Sequence, residues 1–489
     1  MTDPCLQFRE RLQFEDEIVS KSVCRTLSTM LFMTVLLVSL SGNGFAAEGP
    51  LPASALEQEA VSLLSRYIQI DTTNPPGNEI KAAQFFKEIF DREGIEARII
   101  ESAPGRGNVY ARLRGSGTKK AVMLLNHMDV VPADAKLWKE APFSGTVKDG
   151  YIWGRGALDM KGPAIAELMT LLTLKRNNVA LQRDVIFLGT ADEEAGGALG
   201  AAFLLEKHPD LFANVGVVLN EGGGVRLNND GKVQSYSVSV AEKTPLWLRL
   251  IATGAPGHGS TPVGDAAVDK LVLALGRLMA YQTPIKVVPE VQKFFADTAA
   301  GEPENRRRQY QDLRAALKDP AFAADFTSDP RNNASVRNTI SVTRLRGSDK
   351  VNVIPAEASA DIDARLLPGE DPQSFIGEVR RVIGDQSIKI QVLLSFPAAA
   401  SPADPDAMKA IQELAKAHDK DAPVVAPLVR GFTDCHFFRA KGISCLGFMP
   451  LRNISSEGLV HGVDERISLN SLRSGVQSLY ELVHKLTAK

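Results

Sequence analysis

"AVMLLNHMDVVP" (Ala121–Pro132) is the stretch on which the reading of this chain turns. It opens on an apolar run, the composition of a strand buried on both faces. It then reaches His127 and Asp129, two positions apart. Strand residues i and i+2 point to one face, so both side chains look into one pocket. Downstream, "DVIFLGT" and "VGVVLNEGG" repeat the pattern of an apolar run closing on polar residues, while "AIAELMTLLTLKR" and "ALGAAFLLEKH" read as helices. This alternation predicts an α/β domain with a largely parallel sheet. Upstream, "ALEQEAVSLLSRYIQI" and "KAAQFFKEIFDREG" are amphipathic helices separated by the punctuated loop "DTTNPPGNE", with Gly94 ending the second.

The pattern changes near Lys243. "PLWLRLIATG" is an alternating strand and "DAAVDKLVLALGRLMAY" a helix. A charged stretch of helical character follows, about 288–326. Then come strands "TISVTRLRG" and "EASADIDARLL", the helix "PQSFIGEVRRVIG" and the strand "IKIQVLLSF". Without the charged insertion the order is βαββαβ, a ferredoxin-like α+β arrangement. "PAAASPADPD" is a linker back to helices and short strands. The expected organisation is an N-terminal segment at 1–47, a first catalytic part at 48–242, an inserted domain at 243–396, and a second catalytic part at 397–489.

Composition narrows the function. At 489 residues the chain exceeds one ordinary core. Its 44% hydrophobic and 23% charged residues are those of a globular protein, and the net charge of -2 gives no footprint for nucleic acid. Near the N-terminus, "LFMTVLLVSL" (Leu31–Leu40) follows Lys21 and Arg25 and precedes "SGNGFAAEGP". That is the order of a signal peptide, with a core short for a membrane span. Export to a periplasmic or secreted location is expected, with retention as a membrane anchor the alternative. The leader is unusually long and carries acidic residues. Beyond it only Cys435 and Cys445 remain. Two cysteines make no disulfide framework, and plain core residues are expected, with pairing in an oxidising compartment the alternative.

In open α/β sheets, ligands bind beyond the carboxyl ends of the strands. Four such places carry acidic or imidazole groups: "NHMDVVP"; "GRGALDMKG" with Asp159; "TADEEAGG" with Asp192, Glu193 and Glu194; and "LNEGGG" with Glu221. One acidic residue after a strand is ordinarily a solvated loop residue. Four in succession, flanked by glycine or proline, are a site. Carboxylates on one rim repel unless a cation sits among them, and oxygen with imidazole suits zinc or a similar divalent metal. The adjacent Glu193 and Glu194 divide labour between general base and metal ligand. Among the histidines, His461 in "GLVHGVDERISL" is the best candidate for a last ligand, while His208, His418 and His484 read as surface residues.

"HMDVVP", "GRGALDMKG", "ADEEAGG", "NEGGG" and the late "HGVDE" occur in an order that resembles the di-zinc aminoacylase/carboxypeptidase family, with acetylornithine deacetylase, succinyl-diaminopimelate desuccinylase and the glutamate-releasing carboxypeptidases. The resemblance runs from about Ala55 to Lys489 and is nearest in texture to the aminoacylase and carboxypeptidase S branch. It implies a zinc-exopeptidase-like catalytic domain with an inserted lid and dimerisation domain, and a homodimer. It implies two zinc ions per chain, with cobalt or manganese as alternatives. Asp159 would bridge them, Glu194 and His461 holding one and His127 and Glu221 the other. Asp129 would orient His127, and Glu193 would be the general base. His258 in "GAPGHGSTP" would reach the partner subunit's site and stabilise an oxyanion. Arg365, Asn352 and, more weakly, Asn338 match positions that hold a substrate carboxylate.

One stretch departs from the family. "VRGFTDCHFF" keeps Gly431, Thr433 and Asp434, but Phe432 is bulky and Arg430 adds charge. Specificity therefore does not carry over from relatives, and His436 is expected to pack rather than to touch substrate. The implied activity is hydrolysis of an amide bond beside a free carboxylate, carboxypeptidase-type, with an N-acyl-amino-acid amidohydrolase as the alternative. A non-enzymatic solute-binding protein is the remote alternative, and it leaves Glu193 and the full ligand set unexplained.

Overall fold

The computed structural model describes residues 53–397, 399, 402–454 and 459–489. The leader reading at 1–47 lies outside them. From Glu96 the chain lays down β1 (Glu96–Ala103), β2 (Arg106–Leu113), β3 (Ala121–His127), β4 (Val185–Thr190), β5 (Val215–Asn220) and β6 (Gly224–Leu227). It continues through β7 (Thr244–Thr253), β8 (Thr339–Arg346), β9 (Glu357–Leu366) and β10 (Lys389–Ser395) to β11 (Ser444–Gly447).

The first sheet has the order β1-β2-β4-β3-β5-β11. Strands β4, β3, β5 and β11 run parallel, while β1 and β2 form an antiparallel edge. Every side chain of β3 and β4 is buried, as expected for strands covered on both faces. Helix Glu79–Arg92 buries Ala82, Ala83, Phe85, Phe86, Ile89 and Phe90, the helical spacing that the sequence displays. Phe86 and Phe90 pack on Phe187 of β4 at ring-centroid distances of 4.9 and 5.3 Å. Helix Lys161–Arg176 is buried on nearly every face from Lys161 to Leu174, with Leu469–Thr487 lying beside it.

The second sheet has the order β8-β9-β7-β10, all antiparallel, with helices Ala267–Ala280 and Pro372–Ile383 on one face. This is the ferredoxin-like arrangement read from the βαββαβ order. The charged stretch is helical as expected, and its helices run from Pro289 to Val336, further than the charge pattern indicated. Their Val291, Phe295, Leu313, Phe322, Phe326 and Val336 form a small core that also takes in Ala241, Leu367 and Leu428. Among the described residues, no helix is long and apolar enough to cross a membrane.

One expectation is corrected. Cys435 and Cys445 are not plain core residues; they form a disulfide with Cα atoms 5.4 Å apart. Short helix Cys435–Ala440 turns back at Gly442 into β11, and that return brings the two together. Sequence spacing alone does not reveal such a return. The bridge closes a loop of sequence separation 10 next to Asp434, at the rim of the first sheet. Loop-closure entropy for so short a loop predicts that the double variant Cys435→Ser/Cys445→Ser loses about 2–3 kcal/mol. Urea unfolding with and without reductant measures it, and equal midpoints for variant and wild type would contradict the estimate.

Candidate active site

Because β4, β3, β5 and β11 are parallel, their carboxyl ends share one rim. His127 closes β3 opposite Thr190 of β4. Glu193 and Glu194 follow β4, and Glu221 follows β5. Asp159 precedes helix Lys161–Arg176, and His461 enters from the last loop with φ 60°.

Asp159 lies between the two imidazoles. Its Oδ1 is 2.9 Å from His127 Nε2, and its Oδ2 is 3.2 Å from His461 Nε2. Glu221 Oε1 stands 3.7 Å from His127 Nε2, and Glu194 Oε1 stands 3.2 Å from His461 Nε2. Ligand atoms of His127, Glu193 and Glu221 lie within 4.8 Å of one another, as do those of His127, Asp159 and Glu194, and His461 adjoins Asp159 and Glu194. Glu193 converges on His127 and Glu221. All five proposed ligands and the proposed base thus meet on one rim.

The electrostatics are those of crowded acids. Burial raises Glu193 well above the usual carboxylate range, and Glu221, Glu194 and Asp434 add to the rise. Burial, then Asp159, raises Glu221 in the same direction. Asp159 is held below its ordinary range because the His127 and His461 contacts outweigh its burial. Hydrogen bonds to Asp159 and Glu194 lift His461 to about 10.

Asp129 contacts the His127 ring, as expected, and also the turn that carries the glutamates. His127 Nδ1 lies 3.0 Å from the Asp129 backbone carbonyl and 3.5 Å from its Oδ1. The carboxylate mainly accepts the backbone N–H groups of Glu193 (3.1 Å) and Glu194 (3.1 Å), plus the Asn74 amide at 2.8 Å. It therefore fixes the turn that carries both glutamates as well as the ring. Asp192, at φ 72°, forms that turn. Arg106 pins it, donating to Asp192 Oδ1 at 2.9 Å and through two bonds to Glu79, each 2.7 Å.

The sequence reading missed Glu465. Its buried carboxylate accepts N–H groups from Gly156, Leu158 and Asp159 and pairs with Arg155 at 2.7 Å. It is the last residue of the quoted "HGVDE", so position was the available signal. Glu79, Arg106 and Asn74 gave no signal, since they come from a helix start, the start of β2 and a proline-rich loop. Asp434 accepts from Thr190 Oγ1 at 2.7 Å, and burial lifts it to about 7. His436 stacks on Phe396 at 4.8 Å, the packing role expected of it.

The remaining candidates lie elsewhere among the described residues. His258 is exposed, pairs in a two-residue strand with Val353, and hydrogen-bonds Ser260 at 2.8 Å. Asn352 lies beside it, its carbonyl accepting the Gly259 N–H. Arg365 makes a bidentate pair with Asp363 (2.7 and 3.0 Å) over Trp247 and Phe432. Asn338 is buried and joins Glu370 to the Leu367 N–H. None has a hydrogen bond or ion pair to the acidic rim. Asn338 has a complete structural role where it stands.

Residues 123–485 match Peptidase family M20/M25/M40. The chain belongs to that family. It is 34% identical over 414 residues to N-fatty-acyl-amino acid synthase/hydrolase PM20D1 of Xenopus tropicalis, covering 82% of this chain and 79% of the relative. Against aminoacylase-1 of Sus scrofa it is 26% identical over 442 residues, covering 88% and 96%. The M20 family metallo-carboxypeptidase Sso-CP2 from Sulfolobus solfataricus superposes with a TM-score of 0.67 at 20% identity, over 88% of this chain and 99% of that one. This M20 chain is thus an enzyme of the metallopeptidase and amidohydrolase class.

Two predictions follow from the Asp129 and Arg106 contacts. Asp129→Asn replaces an acceptor oxygen by an amide facing backbone N–H groups. It should lower kcat about 10–100-fold with little change in KM. Steady-state kinetics measure it, and a wild-type kcat would refute the clamp. Arg106→Ala leaves buried Glu79 and Asp192 without their cation and should cost about 3–5 kcal/mol of stability. Denaturant unfolding reads that loss; a change under about 1 kcal/mol would show the pair to be energetically idle.

Proposed function

We propose that the chain hydrolyses an amide bond beside a free carboxylate, with N-acyl amino acids ahead of peptides as substrates. The observation that carries this is Asp159 lying between two His–Glu pairs, with Glu193 buried against one of them. The names of the nearer relatives, an N-fatty-acyl-amino acid synthase/hydrolase and an aminoacylase, support placing acyl substrates first.

The donor set fits a pair of divalent cations. Two imidazoles present Nε2 toward carboxylates, and the oxygens of Glu193 and Glu221, and of Asp159 and Glu194, lie within 4.8 Å of one another, a crowding that a cation relieves. Asp159 would be shared, with His127 and Glu221 on one side and His461 and Glu194 on the other. Zinc is the proposed metal. When bound, such a pair supplies Lewis acidity toward the amide carbonyl and lowers the pKa of water.

The chain's own groups do the rest. Glu193 takes a proton from the attacking water as the water oxygen bonds to the amide carbon. It returns that proton to the nitrogen as the C–N bond breaks. Asp129 holds Glu193 by its backbone N–H, so the base stays aimed while its side chain changes charge. His258, Asn352 and Arg365 are proposed to complete the site from the second sheet of this chain or of a partner copy in a homodimer. Export is proposed on the signal-like segment, and the Cys435–Cys445 bridge agrees with an oxidising compartment.

Glu193→Ala should retain metal and lose turnover of N-acyl amino acids by about three orders of magnitude or more. Metal content by atomic emission and an amidase assay test both halves. A near-normal rate removes Glu193 as the base. Wild-type protein with under one metal ion per chain and no chelator-sensitive amidase activity would overturn the function itself.

A further inference from the structure

A cavity of about 530 Å³ opens beside the acidic rim, a size that holds a small organic ligand. Its wall includes Leu158, Gly222 and Val460. These residues are the chain neighbours of Asp159, Glu221 and His461, so the cavity wall and the proposed reaction centre are built on the same three loops. Its polar lining is of one sign: five arginines, Arg226, Arg331, Arg430, Arg452 and Arg466, and no Asp or Glu among the described residues.

Two of these arginines already have work in the fold. Arg452 pairs with Asp419 at 2.7 Å, and Arg466 lies over the Tyr151 and Trp153 rings. Arg226 of β6 and Arg430 are different. Among the described residues, neither guanidinium has a hydrogen bond or ion pair. They also line a second, smaller cavity of about 160 Å³ with Arg331 and one carboxylate, Asp329, so three guanidinium groups share that wall with a single acid. Burial, followed by the Arg430 and Arg331 charges, holds Arg226 below its ordinary value. Like charges brought together on a half-buried wall are costly unless an anion joins them. Arginine forks are the side chains that grip carboxylates with defined geometry.

We propose that this cavity is a substrate subsite for a second carboxylate, held by Arg226 and Arg430, so that the enzyme prefers N-acyl amino acids carrying an additional acidic group. The inference rests on the amide-hydrolase reading of the adjoining rim and adds the substrate class to it. The second carboxylate has two possible sources: the side chain of the released amino acid, or the far end of a dicarboxylic acyl group. Arg430 belongs to the stretch "VRGFTDCHFF", which departs from the family pattern.

The test compares kcat/KM for N-acetyl-L-glutamate, N-succinyl-L-leucine and the neutral reference N-acetyl-L-leucine. At least one acidic substrate should be preferred about tenfold or more, the worth of a charge-assisted hydrogen bond. Whichever is preferred identifies the source. Arg226→Gln, Arg430→Gln and the double variant should lower the acidic substrate's kcat/KM about tenfold more than the neutral one's. Circular dichroism and thermal melting check that each variant is folded. If wild type shows no acidic preference, or the variants lower all three substrates equally, the subsite proposal is overturned while the hydrolase reading stands. A separate calorimetric titration of Glu193→Ala protein compares N-acetyl-L-glutamate and N-succinyl-L-leucine with N-acetyl-L-leucine. Tighter acidic binding, lost in the added arginine variants, supports the subsite even if wild type hydrolyses nothing and the reading of the function fails. Equal binding of all three overturns it.

Discussion

A single buried carboxylate, Asp129, ties the two halves of the reactive rim together. It leaves β3 two residues after His127 and accepts the N–H groups of both Glu193 and Glu194 across the sheet. Its own carbonyl faces the His127 ring. One residue therefore fixes the imidazole, the proposed base and a proposed ligand. Its carboxylate is fully buried, which is tolerable because every contact is a donor: two backbone N–H groups and the Asn74 amide. The same amide also touches Asp192, and Arg106 then joins Asp192 to Glu79. The rim is held from below by a continuous polar network, not by loop packing alone.

Glu465 performs the equivalent task for the other strand end. It gathers the N–H groups of Gly156, Leu158 and Asp159, and its partner Arg155 reaches the Gly462 carbonyl beside His461. The late loop and the Asp159 loop are thus one unit, although about three hundred residues separate them. The inserted sheet leaves this unit intact, because the chain departs near Lys243 and returns before β11. Gly223, directly after the Glu221 turn, shows how tight the return is. A Cβ there would overlap the carbonyl oxygens of Gly447 and Ser237, so β5, β11 and the Glu221 loop have no slack.

What was legible in the sequence divides along a physical line. Buried parallel strands are continuous apolar runs, so β3, β4 and β5 and the acidic residues at their ends could be read directly. The ferredoxin-like order was legible because alternation and helical spacing are local patterns. The supports were not. Arg106 sits at the start of β2 and Glu79 at a helix start, and nothing local distinguishes them from surface charges until the fold brings them to Asp192. The small sheet containing β6 was also missed; its strands are short and broken by the polar turn Asn228–Gly231. Pairing of Cys435 with Cys445 depends on a chain reversal that spacing does not encode. Arg365 is singled out by its place at a strand end, and its Asp363 pairing cannot be read there, because i and i+2 contacts of this kind depend on side-chain rotamers.

The charge distribution gives the site its direction. Glu193, Glu194, Glu221 and Asp159 form an acidic rim, while the adjoining cavity presents five arginines. A rim of carboxylates without cations repels an anionic substrate, and burial strengthens that repulsion. Two divalent cations on the rim would reverse the local sign and leave the arginine wall as the continuation of a positive field. A substrate bearing two carboxylates would then be drawn in by both, with its amide held between them. On the proposed reading, metal binding and anion selection would be coupled: the rim would gain affinity for an anionic substrate only with cations bound, and the arginine cavity would set which end of that substrate lies away from Glu193.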